Sequence, residues 1–216
     1  LPPWVTSDDL ILCCSYSGNT EETLSAAIAA GGRGCRRIAI TSGGRLAKMA
    51  ADEDFPAVSL PGGLPPRASL GYGLGALLRV LGRLGVVAEV EQGLDHAAAM
   101  LQQANASRRE PMLGKAGPGD DPEGNISIGR LAEFLAARIP VIYTAGHEAH
   151  GVGVRWKAQI NENSKMPAMV VPVPELNHND IVGWCLAPEV RERFVLIILR
   201  GADDNERVAR RVAITR

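Results

Sequence analysis

Between an apolar run, Leu10–Cys14, and a helix-forming stretch that begins at Glu21 lies the string Ser15-Tyr16-Ser17-Gly18-Asn19-Thr20. Serine and threonine hydroxyls beside a glycine, at the carboxyl end of a strand, suit a phosphate group. Free backbone N–H groups and the positive end of the following helix converge at such a place. The loop lacks GxxxxGKS/T, so it is not a nucleotide P-loop, and it lacks GxGxxG, which argues against a dinucleotide. A small phosphorylated metabolite is the ligand it fits. The same composition also serves turn geometry and helix capping alone, so the loop by itself leaves both readings open. His147 and His150 stand in an HxxH spacing, but beyond Glu148 nothing nearby completes a zinc set, and they read as helix-start residues.

Positioning such a loop requires a strand, a turn and a helix in that order, and the chain supplies it twice before residue 60. Leu10–Cys14 leads through the loop into an alanine-rich helix that stops at Gly31-Gly32. Residues 37–41 then read as a buried strand, Ser42 as an N-cap, 45–51 as a helix and 57–60 as a short strand. This alternation implies a parallel sheet covered by helices. The run Pro61-Gly62-Gly63-Leu64-Pro65-Pro66 continues no regular element and is a loop. Helical patterns follow over 70–84 and 90–106. Residues 110–123, rich in proline and glycine and poor in large apolar side chains, read as a linker, with a domain boundary nearby. The order then restarts: helix 126–138, strand 140–144, helix 150–164, strand 168–173, helix 175–184, strand 194–200 and helix 203–215.

Four strings carry a resemblance to a known family. Ser-Tyr-Ser-Gly-Asn-Thr-Glu-Glu-Thr from Ser15 resembles the second phosphate-binding segment of sugar isomerase (SIS) domains. Together with Leu64-Pro65-Pro66-Arg67-Ala68, Ile160-Asn161-Glu162-Asn163-Ser164-Lys165 and Pro174-Glu175-Leu176-Asn177-His178-Asn179, in this order, it is similar to the bifunctional phosphoglucose/phosphomannose isomerases. The resemblance runs across nearly the whole chain and implies an α/β fold of two SIS-type three-layer α-β-α domains with parallel sheets. The first, 1–109, is expected to be incomplete at its N-terminus; 110–124 is the linker; the second, 125–216, is expected to be incomplete at its C-terminus. The family opens on a glycine- and serine-containing loop and ends on a helical tail with an active-site lysine. Neither has a counterpart between Leu1 and Arg216, so a fragment or a natural truncation is expected.

By the same resemblance, Ser15, Ser17 and Thr20 hold the phosphate and Gly18 leaves room for its close approach. Glu162 is the base that moves a proton between neighbouring carbons, a task for which burial near an apolar sheet suits it. Arg67, after a stiff diproline, stabilises the enediolate. His178 helps open the sugar ring and comes from the partner subunit, which implies a homodimer. Glucose 6-phosphate and mannose 6-phosphate are both implied substrates, because C2 is planar in the enediol; no cofactor and no metal are implied. Glu175 is expected to cap the helix that carries His178. The alternative reading is a non-catalytic module that binds and senses a sugar phosphate, since the SIS fold serves both uses.

Composition sets the remaining bounds. The 216 residues are 46% hydrophobic and 22% charged with a net charge of −1, the balance of a globular chain able to bury a core. The arginine pairs are scattered, which argues against nucleic acid as a partner. Cys13, Cys14, Cys35 and Cys185 show no CxxC spacing and are expected to be reduced and buried. No apolar stretch is long enough to span a bilayer, so no membrane partner and a cytoplasmic location are expected.

Overall fold

The computed structural model of the chain describes residues 1–113, 128–201 and 204–215. They group into two compact units, Leu1–Ala104 and Asn105–Arg216.

The first unit is built on a three-stranded parallel sheet of order β1-β2-β3, with β1 Leu10–Cys14, β2 Arg36–Thr41 and β3 Ala57–Ser59. Leu10 pairs with Arg36 and Cys14 with Ile40, while Ala39 pairs with Ala57. Parallel neighbours need crossovers, and the helices α1 Glu21–Gly32 and α2 Gly44–Asp52 supply them. Leu24 and Ala27 of α1 and Leu46 and Ala50 of α2 bury themselves against Cys13 and Ala39, with Ile11, Met49 and Phe55 packed around them. These helix residues are spaced three and four apart, the period that keeps one helical face on a sheet. Burying a leucine side chain contributes about 2 kcal/mol, so Leu24 and Leu46 fix both helices to the strands whose ends carry the loops of interest. A 3-10 turn, Pro66–Ala68, and the helices α3 Leu70–Arg83 and α4 Val90–Leu113 follow. Residues 110–113 of the expected linker close α4; 114–124 lie outside the described residues.

The second unit has α5 Ile128–Leu135 and a parallel sheet of order β5-β4-β6, with β4 Ile139–Ala145, β5 Met169–Val173 and β6 Phe194–Leu199. Central β4 is buried from Pro140 to Ala145 because both of its faces are covered. Val141, Tyr143 and Ala145 face a cluster with Val173, Leu176 and Val212. Ile142, between them, faces Ile160 and Ala168 on the opposite side. This alternation is the two-residue period of a strand.

Several local expectations are corrected. The helix expected over 150–164 begins earlier, as α6 Gly146–Gln159, and widens into a π turn over Ile160–Ser164. The helix expected over 175–184 is two short pieces, α7 Leu176–Asn179 and a 3-10 turn, Ile181–Trp184. A further short helix, α8 Pro188–Arg191, precedes β6, and α9 is Glu206–Thr215. Ser42 is not an N-cap: Gly43 holds that position, and the Ser42 hydroxyl donates to the Tyr16 carbonyl at 2.6 Å. The four cysteines are free, but only Cys13 and Cys35 are buried; Cys14 and Cys185 are exposed. Among the described residues no helix is long and apolar enough to cross a membrane.

Candidate active site

Residues 15–20 leave the carboxyl end of β1, as the order strand, loop, helix requires. The ladder continues one step beyond β1, with the Ser15 N–H donating to the Ile40 carbonyl at 3.1 Å. Ser15 is buried, 6% exposed, and its hydroxyl shares a 2.8 Å hydrogen bond with the Thr20 hydroxyl. The Ser15 Oγ also accepts from the Gly18 N–H at 3.1 Å. Thr20 is the N-cap of α1 but makes no side-chain cap bond. Its hydroxyl is turned to Ser15 instead of the helix end. Ser17 and Thr20 are exposed. The fold therefore brings Ser15, Ser17, Gly18 and Thr20 into one turn at a helix N-terminus.

That turn is locked to the loop after β2. Gly18 has φ +67°, and a Cβ there would lie 1.8 Å from the Gly43 carbonyl oxygen. The space beside this glycine is thus filled by backbone of the neighbouring loop. Gly44, at φ +70°, faces the Ser17 carbonyl in the same way, 2.3 Å from where a Cβ would stand. Only a residue without a Cβ serves at either point. Asn19 bridges the two loops: its Nδ2 donates to the Ser17 carbonyl at 3.1 Å, and its Oδ1 accepts from the Arg45 N–H, also at 3.1 Å. The Leu46 N–H donates to the Gly18 carbonyl at 2.9 Å.

A second clasp runs from the same turn to the loop that carries Arg67. The Tyr16 hydroxyl donates to the Pro61 carbonyl at 2.9 Å and accepts from the Leu64 N–H at 3.1 Å. Arg67 sits in the 3-10 turn Pro66–Ala68 and is exposed. Sequence reasoning does not single out Asn19 or Tyr16. Their only signal was membership of the motif string, since their partners lie far along the chain.

In the second unit Glu162 lies in the π turn after α6. Ile160 is buried and anchors the turn. Asn161 Nδ2 donates to the Met166 carbonyl at 2.7 Å, and Asn163 Nδ2 to Gln159 Oε1 at 2.7 Å. The asparagines beside Glu162 thus shape its turn. Lys165 closes the turn in a left-handed conformation, φ +57°. Glu162 itself is exposed, so its own unit does not supply the burial that its expected role as a base calls for.

His178 is also exposed, on α7, which is pinned by Leu176 at 0% exposure. Asn177 Nδ2 reaches Thr215 Oγ1 on α9 at 3.2 Å. Glu175 makes no side-chain cap bond to this helix; its carboxylate accepts from Asn179 Nδ2 at 2.8 Å.

A cavity of about 690 Å³ opens at the carboxyl ends of β4 and β5, lined by His147, Glu148, His150, Glu175 and Asp204 among others. Neither Glu162 nor His178 lines it. Its three carboxylates oppose an anion at the start of α6, so it does not replace the turn at 15–20 as a phosphate site. His147 and His150 are in the first turns of α6, and His150 Nδ1 meets the Thr144 hydroxyl at 3.2 Å, as helix-start residues do.

The chain is similar to several known proteins. Residues 127–216 match the family described as the bacterial phospho-glucose isomerase C-terminal SIS domain. The whole chain is 37% identical to a bifunctional phosphoglucose/phosphomannose isomerase of Caldicellulosiruptor bescii, covering 61% of that protein. It is 38% identical over its whole length to the protein so named in Aquifex aeolicus, covering 60% of it. The chain thus spans about three fifths of the length of these curated relatives. A crystal structure of glucosamine-6-phosphate deaminase from Thermotoga maritima superposes with a TM-score of 0.66 at 16% identity, covering 99% of this chain and 59% of that one. At that identity the likeness speaks to fold, and the fold is α/β with parallel sheets.

Proposed function

We propose that this chain, whose residues 127–216 match the family described as the bacterial phospho-glucose isomerase C-terminal SIS domain, belongs to an aldose–ketose isomerase. The enzyme interconverts glucose 6-phosphate or mannose 6-phosphate with fructose 6-phosphate. The observation that carries this reading is the 37–38% identity to bifunctional phosphoglucose/phosphomannose isomerases, which extends over the entire chain rather than one domain.

In this reading both units are SIS domains, with the junction at 110–124. The hydroxyls of Ser15, Ser17 and Thr20, with the backbone around Gly18, hold the phosphate at the mouth of α1. Glu162 removes the proton at C2 of the open-chain aldose; the electron pair moves through the C1–C2 bond to the carbonyl oxygen and leaves a cis-enediolate. The Arg67 guanidinium offsets that developing negative charge. A proton passes from O2 to O1; return of the abstracted proton to C1, with the electron pair on O2 closing the C2–O double bond, gives the ketose. Because C2 is planar in the enediolate, both C2 epimers reach the same intermediate. His178 of the partner subunit moves the proton that opens the ring, which requires a homodimer; its exposure on α7 is compatible with acting outside its own unit. The exposed Glu162 needs cover from beyond its unit for the carboxylate to act in a dry site. Sugar-phosphate turnover of this kind belongs in the cytoplasm.

The test is conversion of fructose 6-phosphate to glucose 6-phosphate by the full-length protein and its Glu162→Gln variant. General-base loss lowers kcat by about a thousandfold, with binding of the sugar phosphate retained. Unchanged turnover removes Glu162 from the mechanism. A wild-type protein that binds fructose 6-phosphate without converting it is a sensor rather than an isomerase.

A further inference from the structure

We infer that Tyr16 is a positioning residue: its hydroxyl clasps the loop that carries Arg67 and sets the guanidinium relative to the turn at 15–20. The consequence for turnover rests on the isomerase reading above; the clasp itself does not.

The chain between β3 and Arg67 divides into a soft part and a stiff part. Gly62 and Gly63 are exposed with nothing near the position of a Cβ, and Gly63 has φ +89°. Two glycines in open space give the backbone its widest freedom. From Leu64 onward the chain stiffens. Pro65 and Pro66 have fixed φ, the Ala68 N–H donates to the Pro65 carbonyl at 2.9 Å, and the Ser69 N–H to the Pro66 carbonyl at 3.2 Å. The Ser69 hydroxyl, on a residue only 5% exposed, donates to the same Pro66 carbonyl at 2.8 Å. Arg67 therefore moves with Leu64 as one piece.

The Tyr16 hydroxyl holds both borders of the soft part, Pro61 on one side and Leu64 on the other. Its own backbone is held in turn. The Tyr16 carbonyl accepts from the Ser42 N–H at 2.9 Å and from the Ser42 hydroxyl at 2.6 Å. A continuous hydrogen-bonded path thus runs from the β2 loop, through the residue between Ser15 and Ser17, to the start of the Arg67 turn. A phenol suits this task because it donates and accepts through one atom at the end of a rigid ring. Phenylalanine at position 16 keeps the ring and loses both bonds.

The position of Tyr16 makes the effect separable from binding. Ser15, Ser17 and Thr20 keep their hydroxyls in Tyr16→Phe, so the affinity for phosphate stays within about twofold. Misplacing a charge that acts only on the enediolate lowers kcat instead, by about tenfold to a hundredfold for a displacement near 1 Å.

Two measurements on the full-length protein decide the matter. The first is amide hydrogen exchange over a peptide covering 61–67. Tyr16→Phe exposes the Leu64 N–H, and exchange there accelerates by about tenfold or more while the peptide covering β1 is unchanged. Equal protection in wild type and variant overturns the inference, whether or not the protein proves to be an isomerase. The second is steady-state conversion of fructose 6-phosphate by wild type, Tyr16→Phe, Arg67→Ala and the double variant. The expected result is a fall in kcat with KM little changed, and a double variant no slower than Arg67→Ala alone, because Tyr16 acts through Arg67. Losses that multiply independently, or a rise in KM with kcat intact, overturn it. Absence of turnover in the wild type refutes the isomerase reading and leaves the exchange result to judge the clasp.

Discussion

Replacing Gly18 by alanine tests the interlock of the two loops directly. The residue is at φ +67°, which costs a side chain about 1–2 kcal/mol. The larger penalty is contact: the new Cβ would stand 1.8 Å from the Gly43 carbonyl oxygen and 2.8 Å from Thr41 Oγ1, where ordinary contact begins at 3.4 Å. The first is backbone and the second is the hydroxyl of a residue only 2% exposed that is itself bonded to the Gly43 carbonyl, so the loops must part. Parting them endangers the Leu46 N–H to Gly18 carbonyl bond, the Arg45 N–H to Asn19 bond and the Ser42 N–H to Tyr16 carbonyl bond. With two to three of these bonds lost at about 1 kcal/mol net each, added to the strain, the total cost is roughly 3–5 kcal/mol. In a unit of this size that corresponds to a melting temperature lower by about 12 °C or more. Differential scanning calorimetry of the full-length protein measures it, with Gly32→Ala as the comparison. Gly32 ends α1 at ordinary φ with nothing within 4 Å of its Cβ position, and alanine there is neutral or stabilising by up to about 1 kcal/mol. A Gly18→Ala protein melting within about 2 °C of wild type refutes the argument that backbone approach, and not ligand approach, demands glycine at this place.

Leu176→Ala in α7 removes a side chain that is 0% exposed and costs about 2–5 kcal/mol, read as a lower urea midpoint for the second unit. Because Leu176 pins the short helix that carries His178, faster amide exchange at 176–179 accompanies the loss. Burial pushes the Tyr143 phenol up, a shift that the hydrogen bond from Trp184 Nε1 partly offsets. The folded state therefore holds this proton more tightly than the unfolded chain. Its stabilising contribution is complete below the ordinary phenol range and is lost as pH rises through the raised value. Urea unfolding measured from neutral pH into the range above pH 10 shows a steeper alkaline decline for wild type than for Tyr143→Phe. Equal slopes refute the assignment.

Much of the framework was legible before any coordinates. The strand ahead of Ser15 and the helix after Thr20 are set by local composition: an apolar run, a polar turn, then residues with the apolar spacing of a helix face. That pattern placed the turn at the carboxyl end of β1, and the alternation of elements gave the parallel sheets. Short-range rules also identified the glycines at 62–63 and the diproline after them as loop. The motif strings supplied the rest of the expected roles, including that of Glu162.

What the sequence could not supply are relations between distant residues. Tyr16 meets Pro61 and Leu64, and Asn19 meets Arg45, across 45, 48 and 26 residues, and no periodicity encodes such pairs. The Gly43 carbonyl, 1.8 Å from where a Gly18 Cβ would lie, is another such partner, 25 residues along the chain. The splitting of 175–184 into α7 and a 3-10 turn, and the widening of α6 at Ile160, follow from packing: Leu176 and Ile160 are each drawn into a core, which overrides a continuous helical preference. Glu162 reads in sequence as a helix residue with an apolar sheet nearby, yet it is exposed in its own unit. Burial depends on everything that packs against a residue, whereas propensity depends only on its neighbours along the chain.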